Sequence, residues 1–534
     1  MATETVIPVN ERGVERPVFQ RALRKLFSFP VLLGALLVAF NAVIMFPTFR
    51  LEPDTWWHFK LGQQILLTGH WLKADIYSFT AYGNPPLAFE WLGEVVLALA
   101  YKIGALRGLH VLLFVLSSAI LVLTYYYASL RSRNSKAAVA ATAIIIPLAG
   151  MCFTLRPQLL GYIFLLITLI CLERYKQGVQ KSLWMLPPLF LVWVNTHGSF
   201  ILGFCVLGLY WICGLVPFKA GGLTMEPWQP RQRIHLEIIF LLGCVALPFT
   251  PFGGQAFIFP IEKALFFPEQ AAHVMEWYPL NFSLWEPKVM LVLLLGFLLA
   301  QVAYRLTYRI EELFLVLFTA YMTCLHTRFV ILFALVFAPV AASVLARWAP
   351  AYEPEKDKPV VNSVLILLII LGIGRGVPSK KELATRIASD SNIPAEATGY
   401  LQYHTVPGPM YNDYGFGGYL LWALGPEHKV FIDGRGDFYE QAGVFSDYIS
   451  VQDIHPDALA ILRSYHINSC IIQRESPLAT LLRARSDWKE IYKDPISSIF
   501  VRDPLLRPEG TRSPSQAQPE LHNAAASASP GGHS

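Results

Sequence analysis

The stretch Phe29–His58, FPVLLGALLVAFNAVIMFPTFRLEPDTWWH, decides the fold class of this chain. From Phe29 to Phe49 it carries no charge, which is enough to cross a hydrocarbon core of about 30 Å as a helix. It then turns abruptly to Arg50, Glu52, Asp54 and His58, with Trp56 and Trp57 among them. An apolar run ending in tryptophans and acids is a membrane helix meeting a polar interface. No small-residue cleavage site follows "IMFPTF", and 28 residues precede Phe29, so the run reads as a signal anchor rather than a removed leader.

The rest of the chain repeats the theme. Of 534 residues, 54% are hydrophobic and 15% charged, and the mean hydropathy is +0.43, a balance that excludes a soluble protein of this size. Apolar runs recur at roughly 29–47, 107–130, 137–154, 158–174, 183–197, 199–216, 235–252, 288–306, 311–325, 328–346 and 360–377, about eleven crossings in all. The two central runs form a hairpin around "NTHGS", the first of them interrupted by Pro187 and Pro188.

Orientation follows from Lys and Arg, which stay on the cytoplasmic side. With the N-terminus inside, the inner segments hold Arg24, Lys25, Arg131, Arg133, Arg174, Lys176, Arg309 and Lys356 among others, more than twice as many cations as the outer loops. This assignment requires 89–104, "FEWLGEVVLALAYKIG", to lie on the outer surface, where Glu90 and Glu94 stay wet, instead of crossing. The predicted organisation is a cytoplasmic segment 1–28, a membrane domain 29–378 with a large first outer loop 48–106, an outer domain 379–505, and a disordered Pro/Ser/Ala/Gly tail 506–534. The basic balance of +5 reflects topology and calls for no nucleic acid. Six of the seven cysteines fall in predicted helices, which leaves Cys470 alone in the outer domain and no disulfide or CxxC metal motif.

The outer domain reads as small α/β. Strands are expected at 429–433 (KVFID), 467–473 and 497–502, with helices near 414–424, 439–449, 456–466 and 476–486. Asn412 and Asp413 are placed to cap the helix that follows. In "FIDGRGDFY", Asp433, Arg435 and Asp437 surround two glycines, a turn stapled by an Asp–Arg pair or a ligand loop.

The functional candidates gather at the outer level. A carboxylate at a lipid boundary gains basicity from partial desolvation and suits the role of general base toward a hydroxyl, which singles out Asp54, with Glu52 beside it. Trp56, Trp57, His58 and Glu90 could line a sugar or headgroup site, although an interfacial belt explains the tryptophans equally well. Arg156 in "TLRPQ" and Arg328 in "HTRF" could hold phosphate oxygens bidentately, with His197 and His326 at the same level. A divalent metal on Glu52, Asp54 and His58 is possible but not required.

One inner N-terminus, one helix, then a long outer loop opening with "EPD" and continuing "D..SFTAYGNPP" and "EWL" resembles the GT-C class of multi-spanning glycosyltransferases, most of all bacterial members related to protein O-mannosyltransferases and the lipid A aminoarabinose transferase. The resemblance is clearest over 29–130. It implies a catalytic acid in the first outer loop, matched here by Asp54, a polyprenyl-phosphate-type sugar donor, a protein, lipid or glycan acceptor, inversion at the sugar, and residence in a bacterial plasma membrane. Departures are the proline between the two acids and the absence of a basic residue before "PP". The alternatives are a non-catalytic glycan- or lipid-binding assembly protein and a transporter. A transporter would place ionisable residues along a path through mid-membrane.

Overall fold

The computed structural model describes residues 18–48, 51–85, 90–255, 258, 272–389 and 393–502; the expected tail and most of the N-terminal segment lie outside them. Each of the eleven expected spans falls on a helix. Among the described residues six helices are long and apolar enough to cross a membrane alone: Ala22–Thr48, Trp91–Ser132, Gln158–Lys176, Trp285–Tyr304, Thr327–Leu345 and Pro359–Gly376. Ser135–Gly150 and Phe200–Cys213 are apolar but shorter. The chain is thus an α-helical polytopic membrane protein with a C-terminal α/β domain.

The bundle core forms where Ser135–Gly150 and Val330–Leu345 pack together against the second half of Trp91–Ser132. Ile120, Leu121, Ala138, Ala141, Phe333 and Ala334 are fully buried there. By contrast only 11% of the apolar window of Trp285–Tyr304, and of Pro359–Gly376, is buried by protein. Such surfaces are stable only against lipid.

Two features of the first loop differ from, or sharpen, the sequence reading. The acids do not sit on the end of the first helix. That helix stops at Thr48, and a separate one runs Pro53–Thr68. Glu52 takes the extended N-cap position, Pro53 supplies the fixed φ that suits a first helical residue, and Asp54 falls in the first turn, where the helix dipole favours an anion. The segment 91–104 is an arm of its own: the long helix is broken at Ala105 (φ 50°, ψ −137°), and a Cβ on Gly108 would lie 1.9 Å from the Ala100 carbonyl oxygen, so the chain turns back sharply there.

The C-terminal domain holds a four-stranded sheet in the order Met410–Asn412, Ser469–Gln473, Ser497–Arg502, Trp488–Lys493, the first pair parallel and the others antiparallel. The expected strands at 467–473 and 497–502 and the helix 414–424 are present, but "KVFID" is not a strand of this sheet. It runs instead beside the first loop: Ser78 and Val430 form a parallel bridge, Val430 N–H donates to the Tyr77 carbonyl at 2.9 Å, and Phe79 N–H donates to the Val430 carbonyl at 3.1 Å. Asn412 does not cap. Its amide accepts from Phe431 N–H and donates to the Ile432 carbonyl, at 2.8 Å each, fastening this segment to the sheet. Asp413 stands at the N-cap position but accepts from Gln473 N–H rather than from the helix's own amides.

Candidate functional site

The helix Pro53–Thr68 is held from two sides by small residues. A Cβ on Gly62 would come within 2.0 Å of the Glu94 carbonyl oxygen, so only glycine lets the arm 91–104 cross this closely, and the crossing sets Glu90 and Glu94 beside His58. Gly93 packs against Pro157 and the Thr196 carbonyl in the same manner, and Trp91 Nε1 donates to Asn195 Oδ1 at 2.8 Å. These contacts draw the "TLRPQ" and "NTHGS" turns to one place. Thr55 Oγ1 donates to the Leu155 carbonyl at 3.0 Å, which fixes the residue next to Arg156 against the turn that bears Asp54.

Arg156 then meets three carboxylates: Glu52, Asp54 at 3.2 Å, and Glu276. Trp57 Nε1 donates to the other oxygen of Asp54 at 3.2 Å. Burial pushes the carboxyls of Asp54 and Glu52 above their ordinary values despite the guanidinium beside them. Behind this group His58 lies 3.5 Å from Glu94 and 3.6 Å from Glu90, and His197 lies 3.3 Å from Glu90. Burial holds the His58 imidazole well below its usual 6.5 and the Glu94 carboxyl well above its usual 4.5. His58 Nδ1, Glu94 Oε2 and Arg156 Nε are buried with no hydrogen-bond partner among the described residues.

A cavity of about 510 Å³ is lined by Asp54, Trp57, His58, Glu90, Glu94, Arg156 and His197, whereas Glu52 is not part of its lining. Phe200, Ile201, Leu202, Phe329 and Leu332 add apolar lining, and Arg328 lines it too, with its guanidinium 4.3 Å over the Trp277 ring. Among the described residues no carboxylate pairs with Arg328. The C-terminal domain contributes Tyr414, Gly434, Arg435, Asp437 and Phe438 to the lining.

Of the residues singled out in sequence, Glu52, Trp56 and His326 do not line the cavity. Trp56 is buried away from the cavity, packed on Phe59, Tyr419 and Trp422, and belongs neither to an interfacial belt nor to this site. His326 also turns aside, to the Trp277 carbonyl at 2.7 Å. The Asp433–Arg435 staple is present, Nε to Oδ1 at 2.8 Å and Nη2 to Oδ2 at 2.6 Å, and it reaches further than expected, since Arg435 Nη1 also donates to Asp75 at 2.7 Å. Glu276, Trp277 and Asp75 were not legible as site residues. Glu52, Asp54 and His58 do not converge: the acids go to Arg156 and the imidazole to Glu90 and Glu94. Among the described residues no group of three or more His, Cys, Asp or Glu side chains is arranged to hold a metal ion.

No protein-family model matches the chain, and no curated protein matches it. Among solved structures it is similar to ArnT from Cupriavidus metallidurans bound to undecaprenyl phosphate, at 12% identity over 87% of this chain and 96% of that one, with a TM-score of 0.49. It is similar also to the oligosaccharyltransferase AglB from Archaeoglobus fulgidus in complex with an inhibitory peptide and a dolichol-phosphate, at 12% identity over 86% and 70%, with the same TM-score of 0.49. Both are transferases of the GT-C class that the sequence resembles.

Proposed function

We propose that this protein is an inverting glycosyltransferase that moves a sugar from a polyprenyl-phosphate-type donor to a hydroxyl of a protein, lipid or glycan at the outer face of a bacterial plasma membrane. The observation that carries the reading is the lining of one cavity. A carboxylate of raised basicity shares it with the apolar side chains of Phe200, Ile201, Leu202, Phe329 and Leu332, and Arg328, which lines it as well, has no acidic partner among the described residues.

In this reading the polyprenyl chain lies along Phe200, Ile201, Leu202 and Leu332, and the phosphate meets Arg328. Asp54 removes the proton from the acceptor hydroxyl, whose oxygen attacks the anomeric carbon. The bond from that carbon to the phosphate oxygen breaks, the electron pair stays on the phosphate, and Arg328 stabilises it. Direct displacement by one nucleophile inverts the anomeric centre. Arg156 is already engaged by Glu52, Asp54 and Glu276, so its part is to hold the acids rather than the phosphate.

Mass spectrometry of glycolipids and glycoproteins from cells with and without the gene identifies the product, and complementation with Asp54→Asn tests the role. A product restored to parental amounts by Asp54→Asn favours the binding or assembly protein instead. The topology is checked with a reporter active only outside the cytoplasm: silent after Arg133 or Lys358, active after Gly83 or Arg502.

A further inference from the structure

The C-terminal domain comes against the reacting carboxylate at Gly434. A Cβ built on Gly434 would lie 1.9 Å from Asp54 Oδ1, 3.0 Å from its Cγ and 2.6 Å from Trp57 Nε1. No real side chain tolerates such contacts. Gly434 has ordinary backbone angles, so the glycine is needed for close approach rather than for a left-handed turn.

The loop carrying it is fixed at both ends. Arg435, the next residue, is clamped bidentately by Asp433 and by Asp75 of the first loop, Tyr439 hydroxyl donates to Asp433 at 2.7 Å, and Asp75 in turn accepts from Ser78 N–H at 2.8 Å and Ser78 Oγ at 2.7 Å. Tyr414 hydroxyl donates to the Gly434 carbonyl at 3.0 Å. All of Asp75, Asp433 and Arg435 are buried. A buried, fully paired charge triad stands up poorly as a source of stability, because desolvation offsets most of the attraction, but it defines geometry tightly.

We infer that Gly434 is a positioning residue, a backbone stop that the Asp75–Arg435–Asp433 clamp presses against the Asp54 carboxylate to hold it between Trp57 and Arg156. The first loop and the C-terminal domain therefore build one catalytic unit, and the C-terminal domain is a structural part of the active site rather than an appended module. This rests on the reading of Asp54 as the base. Its chemistry is positional: a methyl at 434 leaves the carboxylate in place chemically but forces it off the Trp57 N–H and the Arg156 ion pair.

The test is a double-mutant cycle on the full-length protein in its native membrane, reading the product lost on gene deletion. Gly434→Ala is expected to lower product formation by a factor approaching that of Asp54→Asn, while in the Asp54→Asn background it adds no more than about twofold, because the group it acts through is gone. A substrate-free readout accompanies it. In the purified protein the protonated-carboxyl infrared band that Asp54→Asn removes is followed against pH, and Gly434→Ala moves its midpoint whereas Gly399→Ala, a glycine of the same domain with open space at its Cβ, does not. Arg435→Lys, which keeps the charge but loses the fork, gives a smaller change in the same direction. Multiplicative losses in the cycle, or an unmoved midpoint in a folded Gly434→Ala protein, overturn the inference while leaving Asp54 as the base. Parental product from Asp54→Asn alone overturns the catalytic reading itself.

Discussion

The two ends of the helix Gln158–Lys176 carry the same residue types to opposite effect. Its nineteen residues separate the ends by roughly 27 Å at 1.5 Å per residue. At the far end Glu173 is met by Arg309 at 2.6 Å and by Gln177 at 2.9 Å, Lys176 by Glu311, and Arg131 bidentately by Glu312. Three acids and three bases balance there, and among the described residues none of their buried side-chain atoms is without a hydrogen-bond partner. At the near end Arg156 faces three carboxylates, two more sit around His58, and the group borders 510 Å³ of space. Equal numbers of acids and bases suit a cluster that holds helices together, whereas a surplus of carboxylates beside a cavity is the arrangement on which the proposed site rests.

The largest expected effect breaks the near end. Asp54→Asn keeps the shape and the bond from Trp57 but removes the basic oxygen, so transfer falls by roughly 10² to 10⁴, the usual worth of a general base. The parent's kcat/KM should fall as pH is lowered through an ionisation above the ordinary aspartate value of 3.8, because burial raises the Asp54 carboxyl and only its charged form accepts the proton. A pH–rate profile on purified protein reads both, and an acid limb at or below the ordinary value removes Asp54 from the role.

Next comes the far end. Glu312→Gln leaves Arg131 with a neutral partner in a buried setting, a change that costs on the order of 3–5 kcal/mol in comparable pairs. Thermal unfolding in detergent should show the loss, while the surviving folded fraction keeps its kcat. A variant that unfolds normally but transfers slowly would erase the distinction between the two ends.

How much of this the sequence disclosed follows from what is local. Apolar runs located the helices on which the eleven expected spans fall, and β-branched residues located the strands 469–473 and 497–502, because burial of one face imposes a period on nearby residues. Asp54, His58, Glu90, Arg156 and Arg328 stood out as polar groups at the ends of greasy runs, and the fold brings them to one cavity. What stayed hidden depends on distant packing. Nothing near Gly434 announces that its missing side chain makes room for Asp54, and nothing near Glu276 marks one acid among aromatics as the third partner of Arg156. Trp56 and Trp57 are neighbours in sequence yet part company, one into the core and one into the site, because successive helical positions point about 100° apart. "KVFID" has the composition of a strand and pairs with the first loop instead of the sheet.

A third buried acid sharpens the comparison, since Asp413 has neither balance nor cavity. Burial lifts its carboxyl from 3.8 to about 7, with only the bond from Gln473 N–H opposing, and Oδ1 has no partner among the described residues. Between about pH 4 and 7 the folded state therefore holds a proton that the unfolded chain releases. Stability of the C-terminal domain should be fullest below the unfolded value, fall by at most about 1.4 kcal/mol per pH unit across that window, and level off above it. Asp413→Asn should flatten the slope in unfolding measurements taken from pH 4 to 8, and an unchanged slope assigns it to other groups.

The smallest effect asks which arginine serves the phosphate. Arg156 and Arg328 border one cavity, but the first is surrounded by acids and the second rests on the Trp277 ring with no carboxylate among the described residues. Lysine keeps the charge of either and loses the planar fork, which is worth roughly tenfold where a phosphate is gripped by two parallel bonds. For Arg328→Lys that factor should appear in the KM for the lipid-linked donor, with a fall in kcat beside it because the charge on the leaving phosphate grows in the transition state. For Arg156→Lys it should appear in kcat, because the lost bonds are those that hold Asp54 and Glu52. Kinetics of the two variants with the donor found by mass spectrometry decide the matter: a KM effect from Arg156→Lys and none from Arg328→Lys would exchange the two assignments and place the phosphate among the acids, where only a protonated Glu52 or a shared cation could make room for it.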